Sequence, residues 1–129
     1  MKHGALLTFS GLIVLRVRYL LSFSSYRTVL DLIEQSKTHT RFEKQDSPRL
    51  FVWAVEHTAK LVPAASCLTK ALALRWLLAK SGQQCTIRIG VNKADNGAVE
   101  AHAWVIQNGE VLIGGSGAEQ FRFVPIVDL

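Results

Sequence analysis

Cys67 and His102 are the two side chains in this sequence whose type and setting suit nucleophilic catalysis. Cys67 follows Ser66 at the predicted start of an apolar helix. A helix N-terminus carries unpaired N–H groups and a partial positive charge, which favour a thiolate and stabilise an oxyanion. His102 lies in a predicted strand, where period-two alternation puts it on the same face as Trp104. The pair therefore predicts a thioester-forming enzyme in which the imidazole takes the thiol proton.

Each of these residues also has a purely structural interpretation. Free cysteines are among the most buried residue types, so Cys67 could be a small core residue. His102 could be a core histidine that bonds a backbone carbonyl. A polar ring beside Trp104 in an apolar strand is better explained if the strand crosses the N-terminus of the Cys67 helix. Cys85 begins a strand without an evident partner and is predicted to be structural. The other histidines are predicted to lie at the surface: His3, His39 and His57.

Three helices are predicted before the one that carries Cys67. Residues 6–37 have helical apolar spacing, which the serines at 22–25 interrupt, so they predict two helices. The polar residues 38–46 predict a surface loop. A third helix is predicted from Ser47, as N-cap, and Pro48, at the first helical position, to a point before Pro63. Its apolar face is predicted to comprise Leu50, Phe51, Val55, Thr58 and Leu61.

The fourth helix begins at Ser66 or Cys67. It is predicted to end at Gly82, a residue type that is common just beyond helix ends, with Lys80 in its last turn. Apolar residues cover most of its circumference. Such a helix is normally buried on several sides, so this one is predicted to be the central helix of the domain.

Beyond Gly82 the pattern changes to that of strands. Strands are predicted at 85–91, 98–107 and 110–113, with Asn108-Gly109 as a hairpin turn. Residues 114–117 predict a flexible corner near the substrate, and residues 121–127 a last strand in which Pro125 favours an edge position. The order predicts an α+β fold, in which N-terminal helices precede a central Cys-bearing helix packed on a small antiparallel sheet.

Length and composition limit the classes of protein to which the chain can belong. Its 129 residues predict a single domain, with a helical part over 1–62 and the Cys helix and sheet over 63–129. The net charge is +5, but the basic residues are spread from Lys2 to Arg122, which argues against a nucleic-acid partner. Two cysteines without a CxxC pair predict neither a disulfide scaffold nor a metal site. We expect no cofactor and a reducing, cytoplasmic setting.

The apolar residues 5–21 resemble a membrane or signal segment in composition. Arg16 and Arg18 interrupt them, and a charge near the centre of a spanning helix costs about 2.5 to 3.5 kcal/mol. No small-residue cleavage site follows. We therefore expect no transmembrane span and no signal peptide, but a helix that is buried or covered by a partner, with a helix lying at a membrane surface as the alternative.

At four segments the sequence resembles the lasso-peptide biosynthesis leader peptidases, which are small transglutaminase-like cysteine proteases. The segments are 66–74 (SCLTKALAL), 77–82 (LLAKSG), 87–91 (IRIGV) and 102–105 (HAWV) with Asn108-Gly109. The resemblance implies a papain-like or transglutaminase-like core. It also implies that Cys67 is the nucleophile and His102 the general base.

The third catalytic residue is where the sequence departs from the family. The resemblance implies an Asp twelve residues after the histidine, a position that Gly114 occupies here. Glu110 is the candidate third member, because residues 110 and 114 share a face if the strand is regular, although they lie about 13 Å apart. Other groups that could orient the imidazole are Glu119, Asp95, the Gln107 amide and a backbone carbonyl.

The resemblance implies a peptidase that cleaves a lasso-peptide precursor, leader plus core, through a Cys67 thioester before a separate enzyme closes the macrocycle. It further implies a small leader-binding protein, for which the apolar N-terminal helices are a candidate docking surface. The lasso cyclase is a further candidate partner. Two alternatives stay open: a transglutaminase-like acyl transferase with the same Cys67–His102 pair, and a noncatalytic binding module associated with a membrane through residues 5–21.

Overall fold

The structure is a computed structural model that describes residues 2–36, 48–62, 66–93, 96–113 and 124–129. Within these ranges the helices come first and the strands follow. The helices are α1 (Lys2–Phe23), α2 (Tyr26–Ser36), α3 (Pro48–Ala59) and α4 (Cys67–Lys80). The strands are β1 (Thr86–Lys93), β2 (Val99–Gln107), β3 (Glu110–Ile113) and β4 (Val124–Asp128). The predicted α+β fold is confirmed.

Helix α4 is the centre of the structure. It packs against α1, α2 and α3 on its helical sides and against β2 of the sheet. Four of its five leucines are fully buried, because apolar residues cover most of the helix circumference and each side needs a neighbour. The predicted central position is confirmed. The largest buried side chains of α4 are Leu72, Leu74, Leu77, Leu78 and Trp76.

Local sequence signals determine both ends of α4. Ser66 is the N-cap, and its hydroxyl oxygen accepts the N–H of Thr69 at 3.2 Å. At the other end Gly82 has a φ of 76°, which a glycine adopts without strain, and the Gln83 N–H donates to the Leu78 carbonyl at 2.8 Å. The expected start and end of this helix are therefore confirmed.

The N-terminal helices depart from expectation at their ends. The predicted break near residues 22–25 is present between α1 and α2. Helix α1, however, begins at Lys2, before the predicted start at residue 6. Helix α3 begins at Pro48 as predicted and ends at Ala59, so Leu61 lies beyond it and is 83% exposed. The expectation that Leu61 belongs to the buried face of α3 was wrong for this reason. The predicted loop at 38–46 lies outside the described residues.

Helix α1 is long and apolar enough, by length and composition, to cross a membrane. Its segment Leu6–Phe23 has a mean hydropathy of 1.6, and 28% of that segment is buried inside the protein. One side of the helix contacts α3 and α4. This side contributes to the core, through Leu6, Ile13, Val14 and Val17. In this structure α1 is therefore an integral helix of the domain, packed in its core.

The strands form one antiparallel sheet in the order β3-β2-β1-β4. The predicted Asn-Gly hairpin joins β2 to β3, with φ values of 53° at Asn108 and 79° at Gly109. Among the described residues β4 is an edge strand, as Pro125 predicted. The predicted corner at 114–117 and the residues 121–123 of the last predicted strand lie outside the described residues.

Candidate active site

Cys67 is the first residue of α4 and carries a free, half-buried thiol. The Ser66 carbonyl accepts the N–H of Lys70 at 3.0 Å and closes the first turn. Because the Ser66 hydroxyl takes the N–H of Thr69, the earlier N–H groups, at Cys67 and Leu68, are the ones that point past the helix end. A substrate carbonyl next to the thiol would meet these groups, which stabilise an oxyanion.

Two further contacts fix the first turn of α4. The hydroxyl groups of Ser66 and Thr69 lie 3.1 Å apart, and Thr69 is buried. Lys70 forms an ion pair with Glu56 of α3, at 3.6 Å. There is no acidic residue in this turn, so no carboxylate of α4 opposes a negative charge on the sulfur. The turn that carries Cys67 is thus held from two sides.

His102 lies in the middle of β2 and is half-buried. Its ring meets the buried indole of Trp104 edge to face, with the ring centroids 5.0 Å apart. Gly90 of β1 stands directly opposite His102 in the antiparallel ladder. A glycine inside an apolar strand often marks a close approach, so Gly90 was a signal for this site that sequence reasoning did not use.

The elements that carry the thiol and the imidazole are in contact, because α4 packs on β2. Ala103 and Val105 of β2 belong to the core, whereas His102 projects from the other face of the strand. The structure brings the two elements together, but the face of β2 that packs in the core with α4 is not the face that bears His102. The pairing of Cys67 with His102 therefore stays a prediction.

Glu110 does not lie near His102. Its carboxylate forms an ion pair with Arg49 of α3 at 2.7 Å, and its side chain is 57% exposed. It pairs with Gln107 across the hairpin, so it shares the face of Val105 and not that of His102. The structure therefore does not bring this candidate third member to the imidazole.

A bulge in β3 changes which residues of that strand share a face with Glu110. Ile113 pairs with Val105, but Val111 pairs with Ile106, so Leu112 is an extra residue in β3. Residues 110 and 113 therefore share a face. Because β3 is not regular, the expectation that residues 110 and 114 share a face has lost its basis.

The other candidate orienting groups fall into two classes. The Gln107 amide donates to the Gln84 carbonyl at 3.0 Å and to the Gln83 side chain at 3.3 Å, near the end of α4 opposite Cys67. The second class lies outside the described residues: Asp95, Gly114 and Glu119. No group of three or more His, Cys, Asp or Glu side chains suited to a metal ion occurs in the described part of the chain.

Cys85 lies at the other end of α4 from Cys67. It lines a pocket of about 210 Å³ together with Arg75, Ala79, Gln83 and Gln84. The guanidinium of Arg75 donates to the backbone carbonyl of Leu129. This position separates the two thiols and makes Cys85 a suitable control for Cys67.

Comparisons with curated proteins and with solved structures gave no match. The profile of the transglutaminase-like superfamily matches residues 11–128, which include all of α2, α3, α4 and the sheet. A match over so much of its length shows that the chain belongs to the transglutaminase-like superfamily.

Proposed function

We propose that this chain is a cysteine peptidase that removes the leader from a ribosomally made lasso-peptide precursor. Membership of the transglutaminase-like superfamily suggests cysteine protease or acyltransferase activity. The observation that carries the proposal is the position of Cys67, a free thiol at the first residue of the buried helix α4. The four segments that resemble leader peptidases, from 66–74 to 102–105, supply the substrate class.

The first half of the reaction forms a thioester. His102 takes the proton from Cys67 Sγ, and the sulfur attacks the carbonyl carbon that ends the leader. The N–H groups of Cys67 and Leu68 stabilise the oxyanion. The C–N bond then breaks, and His102 gives its proton to the departing nitrogen. The core peptide leaves with a free amine, which a separate cyclase can use.

The second half releases the leader. A water molecule gives a proton to His102 and attacks the thioester carbon, and the C–S bond breaks. The leader leaves as a carboxylic acid, and the Cys67 sulfur regains its proton from His102. An amine in place of water would give acyl transfer by the same steps, so superfamily membership supports a transferase as the second candidate function.

The test is mass spectrometry of a co-encoded precursor incubated with the full chain and a leader-binding protein. We expect a free core peptide and, in water labelled with heavy oxygen, one labelled oxygen in the leader carboxylate. Cys67→Ala and His102→Ala should each abolish cleavage. Unprocessed precursor would contradict the proposal, and an amine adduct on the leader would identify the transferase.

Matched controls keep these losses interpretable. Cys85→Ala removes the other thiol, and His57→Gln removes an exposed histidine whose Nδ1 contacts the Trp53 carbonyl in α3. Both variants should cleave at the wild-type rate. Equal losses at Cys67 and Cys85 would indicate a structural or redox role for the thiols.

A further inference from the structure

The outward side of α1 carries an apolar stripe. Four large side chains form this stripe, and together we call them the outer face of α1. They are Leu12, Leu15, Tyr19 and Phe23, which are 60%, 52%, 64% and 75% exposed. Their spacing of three and four residues puts them on one side of the helix. The rings of Tyr19 and Phe23 lie 4.9 Å apart. A contiguous exposed apolar patch of this kind marks an interaction surface.

Basic residues flank the outer face of α1. Arg16 is exposed beside it, and the guanidinium of Arg18 donates to the Ser22 hydroxyl on its other edge. The first acidic residue of the chain is Asp31, so no carboxylate on α1 offsets these charges. An apolar stripe with aromatic residues and flanking arginines is complementary to a lipid surface that carries negative headgroups.

The opposite side of α1 determines how the helix can meet lipid. Leu6, Val14 and Val17 are buried against the other helices, so a membrane-spanning orientation would remove them from the core. The helix can bury its outer face and keep these contacts only if it lies in the plane of the interface.

A second copy of the chain fits the outer face of α1 less well. Two-fold pairing through this stripe would bring the Arg16 and Arg18 side chains of both copies to one seam. Like charges at an interface are unfavourable, and α1 has no acidic residue to oppose them. We propose that the outer face of α1 docks on an anionic lipid surface with the helix parallel to that surface.

This proposal is independent of the peptidase activity, and its test uses binding alone. The full chain is sedimented with vesicles of phosphatidylcholine and phosphatidylglycerol, and with vesicles of phosphatidylcholine only. We expect binding to the mixed vesicles, weaker binding to the neutral ones, and a decrease at about 1 M NaCl, where the Debye length is about 3 Å. The double variant Leu12→Ser, Phe23→Ser should bind the mixed vesicles at least about 10-fold more weakly.

Ile126→Ser is the matched control, because it removes an exposed apolar side chain from β4 and should bind like wild type. Equal urea midpoints would show that the variants fold. A chain that stays in solution with mixed vesicles overturns the proposal, as does undiminished binding by the double variant. A dimer that the double variant dissociates would assign the face to a second copy. Recovery only in a carbonate-resistant membrane fraction would indicate a span.

Discussion

At the residue scale, the relation between Cys67 and His102 decides whether the site can work. Cys67 lies at the helix end, and the imidazole projects from the face of β2 that bears Trp104. The Ser66 cap and the apolar pattern after it are local signals, so the position of the thiol could be predicted from the sequence. The approach of the two side chains depends on how α4 lies on the sheet, which no local pattern determines.

A disulfide between positions 67 and 102 tests this approach directly. In a Cys85→Ala background, His102→Cys should form a disulfide with Cys67 under mild oxidation, because the proposed proton transfer needs the two side chains in contact, and a disulfide needs Cβ atoms about 3.5 to 4.5 Å apart. Ile106→Cys is the control, since it shares the face of His102 but lies four residues, about 13 Å, further along β2. Non-reducing mass spectrometry measures the bond. Equal yields from both variants, or none from His102→Cys, would contradict the assigned pair.

Glu110 is predicted to contribute to a surface ion pair and not to catalysis. Its partner Arg49 is also strongly exposed, and such ion pairs contribute about 0.2 to 1 kcal/mol. Glu110→Gln and Arg49→Gln should therefore each lower the free energy of unfolding only slightly, and turnover should fall by less than about 10-fold. Urea unfolding and a cleavage assay measure the two effects. If Glu110→Gln were as inactive as His102→Ala while Arg49→Gln kept full activity, Glu110 would be the third catalytic residue.

Glu110 also shows where sequence reasoning stops. Residues 110–113 were correctly predicted as a strand from their alternation and from the Asn108-Gly109 turn. The extra residue Leu112 could not be predicted, because a bulge depends on pairing with β2 and reverses the face of every residue on one side of it. Glu110 lies on the turn side of this bulge, so its own face follows from the two-residue turn, which pairs it with Gln107, an odd number of residues from His102.

At the element scale, α4 was predictable because its cap, its C-terminal glycine and its apolar circumference are all local. The place of β4 was predictable only in part. Pro125 indicated an edge strand, but the partner of that strand is β1, some forty residues earlier, and its register contains an irregularity beside Gly90. Pairing across such a separation depends on the packing of the whole sheet.

The ion pair between Arg88 of β1 and Asp128 of β4 predicts a pH-dependent contribution to stability. Two hydrogen bonds, of 3.0 and 3.2 Å, join the guanidinium to the carboxylate, and the hydrogen bond from Arg88 lowers the pKa of Asp128. A lowered pKa in the folded state means that the contribution is present above the ordinary pKa of about 3.9 and is lost as the pH falls through the folded-state value.

Asp128→Asn should therefore lower the free energy of unfolding at pH 7 by less than about 1 kcal/mol, since both groups are partly exposed to solvent. The difference from wild type should shrink as the pH falls from the ordinary pKa of about 3.9 through the lower folded-state value. Urea unfolding across this pH range measures the difference in free energy. Glu56→Gln is the control, because it removes a carboxylate from another ion pair, the one with Lys70. A difference that grows in acid would contradict the assigned direction.

At the scale of the whole molecule, α1 has two faces with different environments. Ile13 lies in the core that α1 shares with the other helices, whereas its neighbour Leu12 is mostly exposed. The superfamily match begins at residue 11 and so includes the second half of this helix. If α1 is part of the domain, adjacent residues on its two sides should respond very differently to the same substitution.

Ile13→Ala should lower the free energy of unfolding by about 2 to 5 kcal/mol, because it leaves a cavity among buried side chains. Leu12→Ala should change it by less than about 0.5 kcal/mol in aqueous buffer, because most of this side chain is already exposed to solvent. Urea unfolding of the full chain without lipid measures both. A small effect at Ile13 would mean that α1 does not pack on α3 and α4 in solution. The outer face would then no longer be held parallel to a lipid surface by the core, and a spanning orientation would cost the domain little.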